Sequence, residues 1–139
     1  MKMKLHLSEN SQSQIEKWAT QGYPNESCGL LIGKQNGGAV EVKEVVSARN
    51  LNVERAHDRF ELDPSDFLAA DEKARGAGLE LVGCWHSHPD HPARPSQTDR
   101  EFAWPGWCYL IASVGRDGVA ELCSFHFDGD KFSELLIEP

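Results

Sequence analysis

A chain of 139 residues can bury one full hydrophobic core without disulfide or metal staples, and 40% hydrophobic with 26% charged residues is globular rather than disordered composition. No apolar run reaches the length needed to cross a bilayer. The net charge of −8, spread along the chain, disfavours nucleic acid, whose phosphates select basic surfaces. One domain over residues 1–139, with no membrane and no nucleic-acid partner, is the expectation.

The amino-terminal stretch from Met1 to Asn10 carries two lysines but lacks the apolar segment and small-residue cleavage site of a signal peptide, so a cytoplasmic location is expected. Leu5 and Leu7 alternate with polar neighbours and predict a short strand. Ser8 can then cap a helix to about Gln21, with Ile15, Trp18 and Ala19 on one face, stopped by Gly22 and Pro24. Cys28-Gly29-Leu30-Leu31-Ile32-Gly33 reads as a buried strand with Glu26 at its entrance. Asn36-Gly37-Gly38 turns it into a partner carrying Val40, Val42, Val45 and Val46.

Ser47 to His57 is polar and patternless, the expected long loop, and Arg59 to Leu62 a brief strand. Asp63-Pro64 opens a helix through Phe67, Leu68, Ala70 and Ala74 to Gly76. Leu79 to His88 is a strand, Ser96 to Ala103 a short helix, Trp107 to Val114 and Val119 to Phe127 a hairpin about Gly115-Arg116-Asp117-Gly118, and Phe132 to Ile137 a last strand. The fold class is therefore α/β in the α+β sense: a mixed, largely antiparallel sheet flanked by helices. Cys28, Cys84, Cys108 and Cys123 form no C-x-x-C pair and are expected to be buried free thiols.

Within the strand ending at His88, side chains alternate, so His86 and His88 share a face while Trp85 and Ser87 point the other way. Residues i and i+2 lie roughly 6.6 Å apart, close enough for two imidazoles to converge on one ion at about 2.0–2.1 Å. Cys84 shares the face but sits about 13 Å from His88, too far to join both histidines. The span from Pro89 to Pro95 can bring Asp99 back over them. Two histidines and a carboxylate leave a fourth tetrahedral position for water, the pattern of a catalytic zinc. Each part has a plainer explanation. Ser96-x-x-Asp99 after a proline is also a helix N-terminus signature, and Glu26 alone reads as a solvated turn carboxylate.

His86-Ser87-His88, seven intervening residues, Ser96, two residues and Asp99, with Glu26 upstream in Glu-Ser-Cys-Gly-Leu-Leu-Ile-Gly, resembles the JAMM (MPN-plus) zinc metalloprotease motif. The resemblance runs over nearly the whole chain. It implies a JAMM/MPN domain of cytidine-deaminase-like architecture and one Zn2+ held by His86, His88 and Asp99 with water fourth. It further implies Glu26 as general base and Ser96 as hydrogen-bond donor to the reacting oxygen. In such a site zinc acidifies water and polarises the carbonyl, and Glu26 carries the proton to the departing amine. Ser87 is expected to be a structural hydrogen bonder. His91, His6, His57 and His126 are not used by the motif. Trp85, Trp104 and Trp107 are expected mainly in the core, with a cleft wall as the alternative.

Eukaryotic JAMM deubiquitinases carry insertions that grip ubiquitin, whereas the links from Phe60 to the Pro64 helix and from Asp99 to the Trp107 strand are short here. The compact form is similar to stand-alone prokaryotic members, which implies as substrate a ubiquitin-like sulfur-carrier protein cut after its Gly-Gly tail. That tail would add as a strand at a sheet edge, with the Ser47 to His57 loop as a carrier contact. A non-catalytic MPN-fold binding module is the alternative. A zinc deaminase is disfavoured, because it needs His-x-Glu followed by Pro-Cys-x-x-Cys. Nothing in the pattern specifies an oligomeric state.

Overall fold

The computed structural model describes residues 3–139; Met1 and Lys2, the start of the stretch read above for a signal peptide, lie outside it. In chain order the elements are β1 (Lys4–His6), α1 (Glu9–Gly22), β2 (Cys28–Asn36), β3 (Ala39–Ala48), α2 (Pro64–Gly76), β4 (Glu80–Pro89), α3 (Gln97–Phe102), β5 (Cys108–Gly115), β6 (Gly118–Phe127) and β7 (Phe132–Glu138). The helix starts follow local chemistry. Ser8 accepts the Ser11 N–H at 3.1 Å to open α1, and Asp63 accepts the Ser65 N–H at 2.8 Å with Pro64 in the first turn of α2.

The strands run β1-β3-β2-β4-β5-β6-β7 and close into a barrel as β7 pairs with β1. Closure is a feature that the expected mixed, largely antiparallel sheet did not specify. Its physical cause is β1, whose three residues pair in parallel with both β3 and β7 and so remove both edges. The mixed character is as expected, with β4 and β5 also parallel and the remaining neighbours antiparallel. The parallel β4–β5 pair needs a crossover, and the loop carrying α3 supplies it.

Apolar side chains of β2, β4 and β5 point alternately to two packed regions. Leu31, Val82, Trp85 and Leu110 meet Ile15 of α1, whereas Leu30, Cys84 and Tyr109 meet Ala70 of α2. From Val82 to Pro89 every residue of β4 is buried, as a strand covered on both faces must be. Trp85 stacks on Trp18 with ring centroids 5.6 Å apart and donates Nε1–H to the Val46 carbonyl at 3.0 Å. Gly29 is required beside it, since a Cβ there would run into both the Val46 carbonyl oxygen and the Trp85 indole nitrogen.

Arg59 to Leu62 is not a strand of the barrel. It makes a single antiparallel bridge, Asn50 to Leu62, that pinches the long loop after β3 into a small hairpin. The loop's own polar groups hold it there, because Asp63 accepts from Arg49 Nε at 3.2 Å and Nη2 at 2.9 Å while Asp66 accepts the Arg49 N–H at 2.7 Å. The expected core role of the tryptophans holds only for Trp85, which is fully buried. Trp104 is 56% exposed and Trp107 half-buried, both on a cavity wall.

Candidate active site

Strand alternation places His86 and His88 on one side of β4, and α3 brings Asp99 across to them. Asp99 is fixed by reciprocal capping: Ser96 Oγ accepts the Asp99 N–H at 3.0 Å, and Asp99 Oδ2 accepts the Ser96 N–H at 2.8 Å. The two explanations of Ser-x-x-Asp are thus compatible, since the cap is what aims the carboxylate.

His86 Nε2 and His88 Nε2 are 3.0 Å apart, His86 Nε2 lies 3.2 Å from Asp99 Oδ1, and His88 Nε2 lies 3.1 Å from Asp99 Oδ2. Four ligands at about 2.0–2.1 Å from a tetrahedral ion are themselves roughly 3.3 Å apart, a spacing close to that between the two imidazole nitrogens and between each nitrogen and its facing Asp99 oxygen. The donor chemistry fits as well. The Pro92 carbonyl lies 2.9 Å from His88 Nδ1 and can only accept, so Nδ1 carries the proton and Nε2 presents its lone pair to the centre. The set forms a candidate ion site among the described residues.

The three groups are also strongly coupled electrostatically. Burial pushes the Asp99 carboxyl upward, but the charge of His86 and hydrogen bonds from His86, His88 and the Ser96 N–H outweigh it and hold it well below the usual carboxylate range. For His88 burial acts downward, and the hydrogen bonds to Asp99 and the Pro92 carbonyl carry the net shift upward. Cys84, excluded by spacing, stands outside the cluster, and complete burial keeps its thiol protonated far above its ordinary value. All four cysteines are buried and free.

Glu26 is buried at the entrance of β2, and it lines the same cavity as His86 and Asp99. Desolvation pushes its carboxyl up to about 8, with the charge of His88 working against the rise. Ser96 is the least convergent of the five motif residues. It is exposed, and its oxygen is committed as the helix cap, which leaves the O–H free to donate. Ser87 faces away and accepts the Ser27 N–H at 2.8 Å, the structural role expected of it. His91 is exposed and lies outside the cluster.

Two contributors are not visible in the sequence. Phe60 stacks on the His86 ring at 4.6 Å, which fixes the plane of a side chain whose Nδ1 has no partner among the described residues. Asn50 is the hub of the loop beside Glu26. Its Nδ2 donates to the carbonyls of Glu26 at 3.1 Å and Arg59 at 3.0 Å, and its Oδ1 accepts from the N–H groups of Asn52 at 3.0 Å and Glu61 at 2.9 Å. The signal for Asn50 was only its residue type, a side chain able to both give and accept, at the start of a loop lacking any periodic pattern.

These residues open onto a cavity of about 590 Å³. Its lining includes Glu26, His86 and Asp99 together with Phe67, Trp104 and Trp107. An ion held by the triad and the buried Glu26 carboxylate would together supply the pairing that hydrolysis of an amide needs.

The model of prokaryotic homologs of the JAB domain matches residues 8–125. A desampylase of Haloferax volcanii is 36% identical over 139 residues, covering 96% of this chain and 95% of that protein. A desampylase of Pyrococcus furiosus is 40% identical over 114 residues, covering 81% of this chain and 74% of that one. Among solved structures, a protein of Desulfitobacterium hafniense superposes with a TM-score of 0.84 at 33% identity, covering 96% of this chain and 91% of that chain.

Proposed function

The chain belongs to the family of prokaryotic homologs of the JAB domain, the JAMM-type hydrolases, and from that membership we propose that it is a zinc peptidase cutting after the C-terminal Gly-Gly of a ubiquitin-like sulfur-carrier protein. The observation that carries the proposal is the convergence of His86 Nε2, His88 Nε2 and Asp99 with the buried Glu26 on a cavity of about 590 Å³.

In this reading His86, His88 and Asp99 would hold the zinc. Zinc so held supplies Lewis acidity, acidifying water near neutral pH and polarising a carbonyl. Glu26 accepts the proton of the attacking water and returns it to the departing amine, a transfer that the short reach across a buried pocket favours. Ser96 donates its O–H to the carbonyl oxygen as negative charge develops there. The Glu26 carboxyl, raised by burial, would be shifted toward its ionised form by a cation held at the triad.

The closed barrel leaves no edge for the tail, but the small loop hairpin does. Glu61 O accepts the Leu51 N–H at 2.9 Å and the Asp63 N–H donates to Arg49 O at 3.1 Å, so this side of the segment is paired. The N–H and C=O groups of Phe60 and Leu62, two residues that line the cavity, face away from this paired side and have no hydrogen-bond partner among the described residues. An extended peptide can take up those groups as an added strand, with glycines where it passes Phe60 and His86.

Zinc analysis and cleavage assays test the proposal together. His86→Ala and Asp99→Ala are expected to lose stoichiometric zinc and hydrolysis. Glu26→Gln keeps zinc and loses hydrolysis, and Ser96→Ala keeps zinc with a rate about 10² lower, the size typical of one lost oxyanion donor. Wild-type protein without stoichiometric zinc, or zinc-loaded Glu26→Gln cutting at the wild-type rate, would overturn it.

A further inference from the structure

The cavity wall also carries a group of aromatic side chains whose exposure the barrel's own packing does not require. Trp104 is 56% exposed and Phe102 72% exposed, and both border the cavity. Trp104 and Trp107 have ring centroids 5.2 Å apart, and Phe67 of α2 lies 6.0 Å from Trp104 and 6.1 Å from Trp107. The box is rigidly held. The Trp104 N–H donates to the Tyr109 hydroxyl at 2.6 Å, and the Phe127 N–H donates to the Trp107 carbonyl at 3.0 Å.

Strand register sets the distance of this box from the reacting bond. His86 pairs with Ile111 across the parallel β4–β5 ladder, and Cys84 with Tyr109, so Trp107 lies four residues back from the level of His86. Four residues of strand span about 13 Å, which an extended substrate also covers in about four residues. From Phe60, stacked on His86, residues lining the cavity follow in the chain through Leu62 and Pro64 to Phe67, so the unpaired edge leads from the ion site to the aromatic box. A tail that adds antiparallel to this edge, with its scissile carbonyl by His86, presents its earlier residues to Phe67, Trp104 and Trp107.

We propose that Phe67, Trp104 and Trp107 form a specificity subsite for a bulky apolar side chain on the substrate's tail, centred on the fourth residue upstream of the one whose carbonyl is attacked. The occupant is apolar because the three walls offer aromatic faces, and it belongs to the tail because the box is continuous with the unpaired edge that leads to the site. The proposal rests on the peptidase reading for the direction and register of the tail. Gly-Gly then satisfies the narrow end of the path, and the apolar side chain supplies affinity and fixes register.

The test uses N-acetylated nine-residue peptides of alanine and serine ending in free Gly-Gly, with one leucine moved from the third to the seventh position from the C-terminus. Binding to the whole, chelator-treated protein is read by titration calorimetry, so that neither zinc nor turnover enters. Leucine at the fifth position from the C-terminus is expected to bind about tenfold tighter than the leucine-free peptide. Trp104→Ala and Phe67→Ala should each remove that preference, and Trp104→Phe should restore most of it; circular dichroism confirms that each variant folds. Affinity independent of the leucine's position, or a preference that survives Trp104→Ala, would overturn the subsite. The same peptides extended by three alanines beyond Gly-Gly, given to zinc-loaded protein, then separate the two readings: preferential binding with no cleavage removes the peptidase and keeps the subsite, whereas cleavage after Gly-Gly indifferent to leucine does the reverse.

Discussion

Asn50→Ala isolates the loop that holds Glu26 without touching a proposed metal ligand. The side chain makes four hydrogen bonds, between 2.9 and 3.1 Å, that tie Glu26, Asn52, Arg59 and Glu61 together. Three of them are half-buried and one is exposed, so their net contribution, at about 0.5–1.5 kcal/mol each and discounted for solvent, comes to about 2 kcal/mol against local opening. That is about a thirtyfold rise in the open population of the loop. Hydrogen exchange should show it at the Leu51 and Asp63 amides, whose own backbone bonds the substitution leaves in place, while the β4 amides keep their protection. With Glu26 and Phe60 less well positioned, kcat/KM should fall at least about tenfold at unchanged zinc stoichiometry. Unchanged exchange at Leu51 and Asp63 would refute the hub role, and loss of zinc would show that Asn50 acts on the triad instead.

Two further outcomes follow from the same geometry. In chelator-treated protein Glu26 keeps a proton that the unfolded chain has lost between its ordinary value of 4.5 and about 8, so thermal stability should fall as pH rises through that window. Glu26→Gln should flatten this part of the profile, leaving the smaller loss above about pH 6.5 that the raised His88 contributes; coincident profiles would contradict the desolvation argument. Gly29→Ala drives a methyl into the Val46 carbonyl and the Trp85 indole, both held by their own hydrogen bond, and should cost about 3 kcal/mol by urea denaturation. A change under about 0.5 kcal/mol would show that the barrel yields at this point.

The local structure of this chain was largely legible in its residues because capping and turn chemistry act over a few positions. Ser8, Asp63 and Ser96 each open the helix expected of them, and alternation in β4 alone puts His86 and His88 together and sends Ser87 away. Closure of the barrel was not legible, because it depends on the three residues of β1 pairing on both sides, which no local period encodes. Arg59 to Leu62 has the composition of a strand but finds only Asn50 opposite it, and side-chain bonds from a patternless loop supply the rest of its support. Trp104 and Trp107 carry the residue type of a core and the location of a cavity wall. Residue type decides how much surface favours burial, and tertiary placement decides where that burial happens.

The most direct measurement is the mass of the products when zinc-loaded protein is incubated with a ubiquitin-like sulfur carrier bearing a short extension beyond its Gly-Gly. The account predicts one carrier product ending at the second glycine, formed by the wild type and absent with Glu26→Gln. A carrier cut at any other bond, or cut equally well without the Glu26 carboxylate, would contradict it.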